Sequence, residues 1–551
     1  MAIKELNKEL PATENVWLEI FHEENAVPEN AKVKFPIHQK EYLINGELRI
    51  WEGKSNTIKS PVYFKTNKNY ERVTIGTTPM LSIDAAVEAV DAAYHAYDLG
   101  RGLWPTLSVK KRVDSMLRFV KAMETKREEV VRLMMWEIGK TRTDSENEFD
   151  RTIKYIYDTL DELKDMNRRS AVLEKQEGIY AQIRRSPIGP VLCMGPFNYP
   201  LNEAFATLIP AILMGNTVVF KPAKLGLLLM RPMLELFKAH FPKGVINVIY
   251  GDGKEIIGPI MATGKIDVFA FIGTSRVANI IKQHHPKANR LKSVLGLEAK
   301  NPAIILPDAD LDNAVKECIN GSLAFNGQRC TALKILFVHE SIAQEFNTKF
   351  VAALQQLKAG LPWEDFVEIT PLPEKNKVEY LKELVDDAIA KGANIINPNG
   401  GEHALSFFYP AVLFPVNNAM RVWHEEQFGP VVPITTFRNI NEPLTYMQTS
   451  PYGQQVSVFG KDSNRLAELI DPLVNQVGRV NLNCKCQRGP DLYPFNGRKD
   501  SAVSTLSVYD ALRAFSIRTT VAFKDTENNK QIISNIIENR RSNFVTTDYI
   551  L

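Results

Sequence analysis

Residue 330 is a cysteine set in Phe325-Asn326-Gly327-Gln328-Arg329-Cys330-Thr331, where a glycine and polar side chains precede the thiol and a cation adjoins it. Such surroundings favour the thiolate, the form that attacks an electrophilic carbon. The alternative is a small buried hydrophobe, and this stretch alone leaves both open. The other cysteines offer less. Cys193 and Cys318 lie inside apolar periodic runs, while Cys484 and Cys486 flank Lys485, a Cys-x-Cys spacing that is thin support for a metal. No metal is expected.

Three further segments carry usable groups. In Gly195-Pro196-Phe197-Asn198-Tyr199-Pro200 the prolines and glycine hold Asn198 in a fixed loop, so its amide is either a rigid donor to a developing oxyanion or a turn residue satisfying its own backbone. Lys221-Pro222-Ala223-Lys224 follows an apolar strand, where α/β sheets place ligand contacts, and two lysines there suit phosphate or ribose unless they are simply solvated. Gly273-Thr274-Ser275 turns from a strand into a helix with Val277, Ile280 and Ile281 on one face and Ser275 as its expected N-cap; helix starts of this kind receive phosphates. Gly251-Asp252-Gly253 is a second glycine turn but lacks the rest of a dinucleotide fingerprint.

These groups need a scaffold, and the chain is long enough to build one. It has 551 residues, 44% hydrophobic and 24% charged, the usage of a packed globular chain of two or three domains. Lys and Arg exceed Asp and Glu by 67 − 64 = +3 without basic blocks, so no nucleic-acid partner is expected. The most apolar stretch, Ala204 to Phe220, is interrupted by Thr207, Pro210, Gly215, Asn216 and Thr217, short of the ~18 apolar residues of a membrane span. Met1 to Leu10 has no apolar h-region, Thr547 to Leu551 matches neither a prenylation nor a peroxisomal signal, and the five sparse cysteines read as reduced thiols; a cytoplasmic chain is expected.

Strand-like runs at Gly189 to Met194, Thr217 to Phe220, Val245 to Tyr250, Val268 to Phe271 and Ala303 to Ile305 alternate with helix-period segments. That is the rhythm of a covered parallel sheet. A second such region has strands at Leu333 to Val338, Ala393 to Ile396, Val431 to Phe437 and Val456 to Phe459, and residues 84 to 137 read as helices. Gly178 to Arg185 alternates as a half-exposed strand that pairs with a late strand or another subunit. The first ~45 residues and the tail beyond Lys524 look like appendages, packed on a neighbour or free.

In order, Asn198, Lys221-Pro222-Ala223, the Gly273 turn, Gly327-Gln328-Arg329-Cys330, Glu425-Glu426-Gln427-Phe428-Gly429-Pro430 and the closing Pro494-Phe495-Asn496-Gly497-Arg498-Lys499-Asp500-Ser501 resemble the aldehyde dehydrogenase superfamily over roughly residues 75 to 520. The resemblance implies an α/β fold: a Rossmann-like cofactor domain (46–170 and 186–298), an α/β catalytic domain (299–500), a small β oligomerisation element (171–185 and 501–524), and extensions at 1–45 and 525–551. It implies a homodimer or homotetramer. Cys330 would add to an aldehyde, Asn198 would hold the oxyanion, Glu426 and Phe428 would face the nicotinamide side, and Lys221, Gly273, Thr274 and Ser275 the rest of the dinucleotide. Lys224 stands where NAD-preferring relatives often carry an acid; a cation there neutralises a 2′-phosphate, so NADP is the expected cofactor.

A narrower resemblance, in Gly327-Gln328-Arg329-Cys330-Thr331-Ala332, Tyr199 and Gln487-Arg488-Gly489-Pro490-Asp491, is to the non-phosphorylating NADP-dependent glyceraldehyde-3-phosphate dehydrogenases of glycolysis. It implies that Arg151, Tyr199, Arg329 and Arg488 hold the substrate phosphate, a task that suits the guanidinium fork. Phe149, Ile153, Ile156 and Leu160 form a helical stripe, and Arg151 lies about 200° from Phe149, facing solvent or a cleft.

The chain departs from the family at the general base. The family's Glu-Leu-Gly-Gly-Lys reads Gly296-Leu297-Glu298-Ala299-Lys300 here, so the acid stands two residues late, about 6.6 Å along an extended segment. Glu298 reaching the thioester through water is one outcome. A missing base would slow that step on the order of 10²- to 10⁴-fold, so the alternatives are a dehydrogenase for another small aldehyde or one passing its acyl group to coenzyme A, and a catalytically weakened binding or structural paralogue. The expectation is oxidation of a small aldehyde, glyceraldehyde 3-phosphate first, through a Cys330 thioester.

Overall fold

The computed structural model describes residues 15–550 apart from residue 68. The expectations for Met1 to Leu10 and for Leu551 lie outside the described residues. The first of two large sheets has eight strands in the order Ala502–Val503, Lys292–Gly296, Val268–Ile272, Val191–Met194, Val218–Lys221, Ile246–Val248, Glu41–Ile44, Glu47–Ile50. Its central five strands run parallel, and the added strands at either edge are antiparallel. Helices cover both faces, which is why runs such as Val191-Leu192-Cys193 are apolar at every residue and wholly buried.

The strand order carries the functional consequence. From Val191–Met194 the chain proceeds through Val218–Lys221 to Ile246–Val248 on one side, then returns to Val268–Ile272 and Lys292–Gly296 on the other. This reversal opens a crevice at the carboxyl ends of Val191–Met194 and Val268–Ile272. The loop carrying Asn198 and the turn at Gly273 leave from those two ends.

The second sheet has seven strands in the order Asn394–Ile395, Ala411–Phe414, Val431–Phe437, Leu333–His339, Asn301–Ile305, Gln455–Phe459, Arg479–Leu482, all parallel except the first. The run at 303–305 therefore belongs to this sheet and not to the first strand series. Residues 297–300, without regular structure, cross from one sheet to the other. Glu298 sits on that crossing.

Elsewhere the segments follow local chemistry. Helices Ile83–Tyr97, Val109–Glu124 and Arg142–Arg169 start from Ser82, Ser108 and Thr141, each accepting a backbone N–H three residues on. The strand near 178 forms as Ile179–Pro187, antiparallel to Ser516–Lys524 and to Glu174–Gln176. The early appendage is partly integral: Glu41–Ile44 joins the large sheet with Tyr42, Leu43 and Ile44 buried, because its apolar run completes an otherwise open edge. The late one packs on its own chain, with Thr546 and Gln182 exchanging two hydrogen bonds of 2.7 and 3.1 Å and Val545 buried.

Candidate active site

A cavity of about 1070 Å³ opens between the sheets and is lined by Asn198, Lys221, Lys224, Gly273, Thr274, Glu298, Cys330, Glu426 and Phe428 among others. Ser275, Arg151, Tyr199, Arg329 and Arg488 stand outside that lining.

The turn before the thiol is bent by three consecutive left-handed residues, Phe325, Asn326 and Gly327, at φ 49°, 55° and 69°. Two of them carry side chains, a conformation that costs on the order of 1–3 kcal/mol each and persists where neighbours enforce it. Asn326 is so enforced, exchanging side-chain hydrogen bonds with Thr370. Gly327 is obligatory: a Cβ there would lie 2.7 Å from the Ser322 carbonyl oxygen and 2.8 Å from that of Gly429. Beyond the turn, the Cys330 carbonyl accepts from Asn301 Nδ2 at 2.8 Å and from Lys334 Nζ at 3.1 Å.

The thiol itself differs from its sequence expectation. Burial pushes the Cys330 pKa up to about 11, the Glu203 carboxylate adds to the rise, and the Lys334 ammonium opposes it. Cys330 lines the cavity, and a pKa raised this far favours the protonated thiol at neutral pH. Arg329, its neighbour in sequence, does not serve it. That guanidinium donates to the carbonyls of Asn320, Gly321 and Ala324 at 2.8 to 3.1 Å, at the negative end of helix Leu311–Leu323. The thiol's cation is Lys334, a charged residue inside the apolar strand run Leu333–His339; that intrusion was the available sequence signal.

Asn198 Nδ2 donates to the Gln328 carbonyl at 2.8 Å, tying the loop to the thiol turn. The loop is held from behind by a buried ion pair, Lys140 and Glu148, at 2.5 Å. Glu148 accepts the backbone N–H groups of Leu201 and Asn202, and Lys140 donates to the Asn198 carbonyl while its ammonium lies 3.5 Å from the centre of the Tyr199 ring. Neither member of the pair was singled out from sequence.

On the cofactor side, Lys221 is 7% exposed and its ammonium's only hydrogen bond among the described residues is a long one, 3.4 Å, to the Pro222 carbonyl. Burial lowers its pKa to about 8, against the pull of Asp252. A buried, barely satisfied ammonium beside a roomy cavity fits the ribose or phosphate of a dinucleotide. Lys224 is exposed at the rim. The helix Ser275–Gln283 is capped by Thr274, whose side chain accepts from Val277 N–H, one residue earlier than expected, because Thr274 is the last extended residue and Ser275 already has helical partners. The Ser275 N–H is taken by Glu298 Oε2 at 2.7 Å. Glu426 is taken by Lys334 at 2.5 Å and by the Ala299 N–H at 3.2 Å, with the ring of Phe428 beside Lys334.

The arginines assigned to a substrate phosphate are engaged already. Arg151 makes a bidentate pair with Asp491 at 2.7 and 2.8 Å; buried Arg488 pairs with Glu203 and lies 3.3 Å from Asp491. Burial would raise the Asp491 carboxyl, but the Arg151 and Arg488 guanidiniums hold it low. Glu203 was missed by the sequence reading. An acid between the Asn198 loop and the apolar stretch that follows it was the signal.

Two open, mainly parallel sheets meeting over a cavity that holds a cysteine, a loop amide and a dinucleotide-type crevice mark a cysteine-dependent oxidoreductase. The chain belongs to the aldehyde dehydrogenase family, which it matches over residues 58–521. It is 30% identical over 489 residues to the NADP-dependent glyceraldehyde-3-phosphate dehydrogenase of Arabidopsis thaliana, covering 87% of this chain and 94% of that protein. Against the Streptococcus equinus protein of the same name, identity is 32% over 455 residues, 81% of this chain and 93% of the other. The structure of the Bacillus halodurans C-125 NADP-dependent glyceraldehyde-3-phosphate dehydrogenase, complexed with NADP, superimposes with a TM-score of 0.80 at 31% identity, covering 90% of this chain and all of that one.

Proposed function

We propose that this chain is an NADP-dependent aldehyde dehydrogenase that oxidises glyceraldehyde 3-phosphate to 3-phosphoglycerate without phosphorylating it. The observation that carries the reading is the one cavity shared by Cys330, Asn198, Glu426 and Lys221. The Cys330 sulfur bonds the aldehyde carbon as its proton leaves, and the Asn198 amide stabilises the oxygen that becomes negative. Bound NADP⁺ supplies the acceptor for the hydride. Cys330 is left as a thioester, and water, losing one proton, releases the carboxylate and restores the thiol. Lys221 and Lys224 favour a 2′-phosphate by charge.

Glu298 is the acid nearest in sequence to the absent family base, and its bond to Ser275 turns its carboxylate toward the cofactor-side helix. That favours slow deacylation, with acyl transfer to coenzyme A as the second reading. No helix among the described residues is long and apolar enough to cross a membrane. Unpaired cysteines support a cytoplasmic location, and the small sheet of Glu174–Gln176, Ile179–Pro187 and Ser516–Lys524 supports self-association through its edge strands.

The test is steady-state NADPH formation from glyceraldehyde 3-phosphate with NADP⁺ and NAD⁺, with and without inorganic phosphate or coenzyme A. The expected result is turnover preferring NADP⁺ and indifferent to both additions. Turnover that requires phosphate or coenzyme A would contradict the assignment of water as acyl acceptor.

A further inference from the structure

Beside the Cys330 cavity lies a cluster of four charges, buried at Glu203 and Arg488 and half-buried at Arg151. Glu203, from helix Asn202–Leu213, pairs with Arg488; Arg488 Nε lies 3.3 Å from Asp491; Asp491 takes both donors of Arg151. Two guanidiniums face two carboxylates, so the cluster is neutral as it stands. Glu203 and Arg488 are each 6% exposed, and the Arg488 guanidinium stacks 4.7 Å from the ring centre of Phe495.

Position matters more than charge. Glu203 and Phe495 line the Cys330 cavity, whereas Arg488 does not. The carboxylate thus stands between the thiol's cavity and the guanidinium. Arg488 Nη2 is buried without a hydrogen-bond partner among the described residues, and Nε meets the Asp491 carboxylate at 3.3 Å without hydrogen-bond geometry. Buried donors left unmade are costly, and a guanidinium with spare donors matches the oxygens of a phosphate.

We propose that Glu203 determines substrate specificity by occupying Arg488 in place of a substrate phosphate, so that a phosphorylated aldehyde must displace this carboxylate while an unphosphorylated one need not. This rests on the reading that aldehydes are oxidised at Cys330 with the phosphate directed toward Arg488. A phosphate entering beside Glu203 meets a like charge in a desolvated site, a juxtaposition that discriminates strongly between partners. A hydroxyaldehyde without phosphate meets no such repulsion.

The experiment compares wild type, Glu203→Gln and Glu203→Asp on glyceraldehyde 3-phosphate and on glyceraldehyde. Glutamine keeps the shape and an acceptor for Arg488, with Asp491 still supplying a negative charge; aspartate keeps the charge of the original. Because the Cys330 thiol changes for both aldehydes alike, the readout is their ratio: in Glu203→Gln, KM for glyceraldehyde 3-phosphate relative to KM for glyceraldehyde should fall by about tenfold or more. Glu203→Asp should keep the wild-type ratio. Equal shifts for both aldehydes, or a raised ratio, would overturn the proposal. Protection of Cys330 from alkylation by glycerol 3-phosphate, a non-reacting probe, reads the same competition without turnover. If neither aldehyde is oxidised by any form, the functional reading fails, and the protection constants alone still decide whether Glu203 competes with phosphate. Protection no stronger in Glu203→Gln than in wild type would then refute it.

Discussion

The Glu298 carboxylate accepts a 2.7 Å hydrogen bond from the backbone N–H of Ser275, the first residue of the helix that borders the sheet's crevice. A dinucleotide's diphosphate would seek the same helix start. Glu298→Gln keeps an acceptor but removes the charge, and charges at helix starts are worth about 0.3–2 kcal/mol, roughly 2- to 30-fold in affinity. NADP⁺ should bind Glu298→Gln more tightly by that factor, read from quenching of tryptophan fluorescence. Equal or weaker binding would show that the cofactor does not meet this carboxylate.

The thiol at Cys330 should be sluggish in the free protein. With its pKa pushed up to about 11, only about 0.1% is thiolate at pH 8, so alkylation by iodoacetamide should rise tenfold per pH unit through pH 10. Because Glu203 contributes to that rise, Glu203→Gln should shift the profile to lower pH. A plateau below pH 9 in wild type would place the thiol in a different electrostatic setting.

Gly296 has room. A Cβ there would meet Ile272 Cγ1 at 3.4 Å, ordinary van der Waals contact. Restoring the family's acid with Gly296→Glu should therefore be tolerated and should speed thioester hydrolysis on the order of 10²-fold or more, measured as a rise in steady-state rate with an unchanged first turnover. No gain would show that Glu298 or another group already supplies the base.

Lys140 and Glu148 are both fully buried, so removing one leaves an uncompensated charge under the Asn198 loop. Lys140→Met should cost about 3–5 kcal/mol and lower the temperature of thermal inactivation, whereas Lys140→Met combined with Glu148→Gln should recover part of the loss. Equal stability of the single and double variants would deny the pair its supporting role.

Much of the frame was legible because it rests on local patterns. The short apolar run Val268–Ile272, bounded by polar turns, forms a covered strand, and the prolines flanking Asn198 hold a loop. The misreadings came from relations that sequence neighbours do not reveal. Arg329 adjoins Cys330 in the chain yet turns its guanidinium to the carbonyl end of helix Leu311–Leu323, while Lys334, four residues on, supplies the charge. Glu203 and Arg488 are 285 residues apart in the chain, and no local pattern joins them. Similarly, Glu41–Ile44 shows no alternation because helices Ile83–Tyr97 and Arg231–His240 pack against it, so its apolar run is buried rather than half-exposed.

The central claim is that Cys330 carries the acyl group. Mixing the protein with NADP⁺ and glyceraldehyde 3-phosphate, then quenching within the first turnover, should give a burst of NADPH equal to the number of sites and a 3-phosphoglyceryl thioester on the peptide containing Cys330. NADPH formed without any adduct at Cys330, or formed equally by Cys330→Ser, would contradict it.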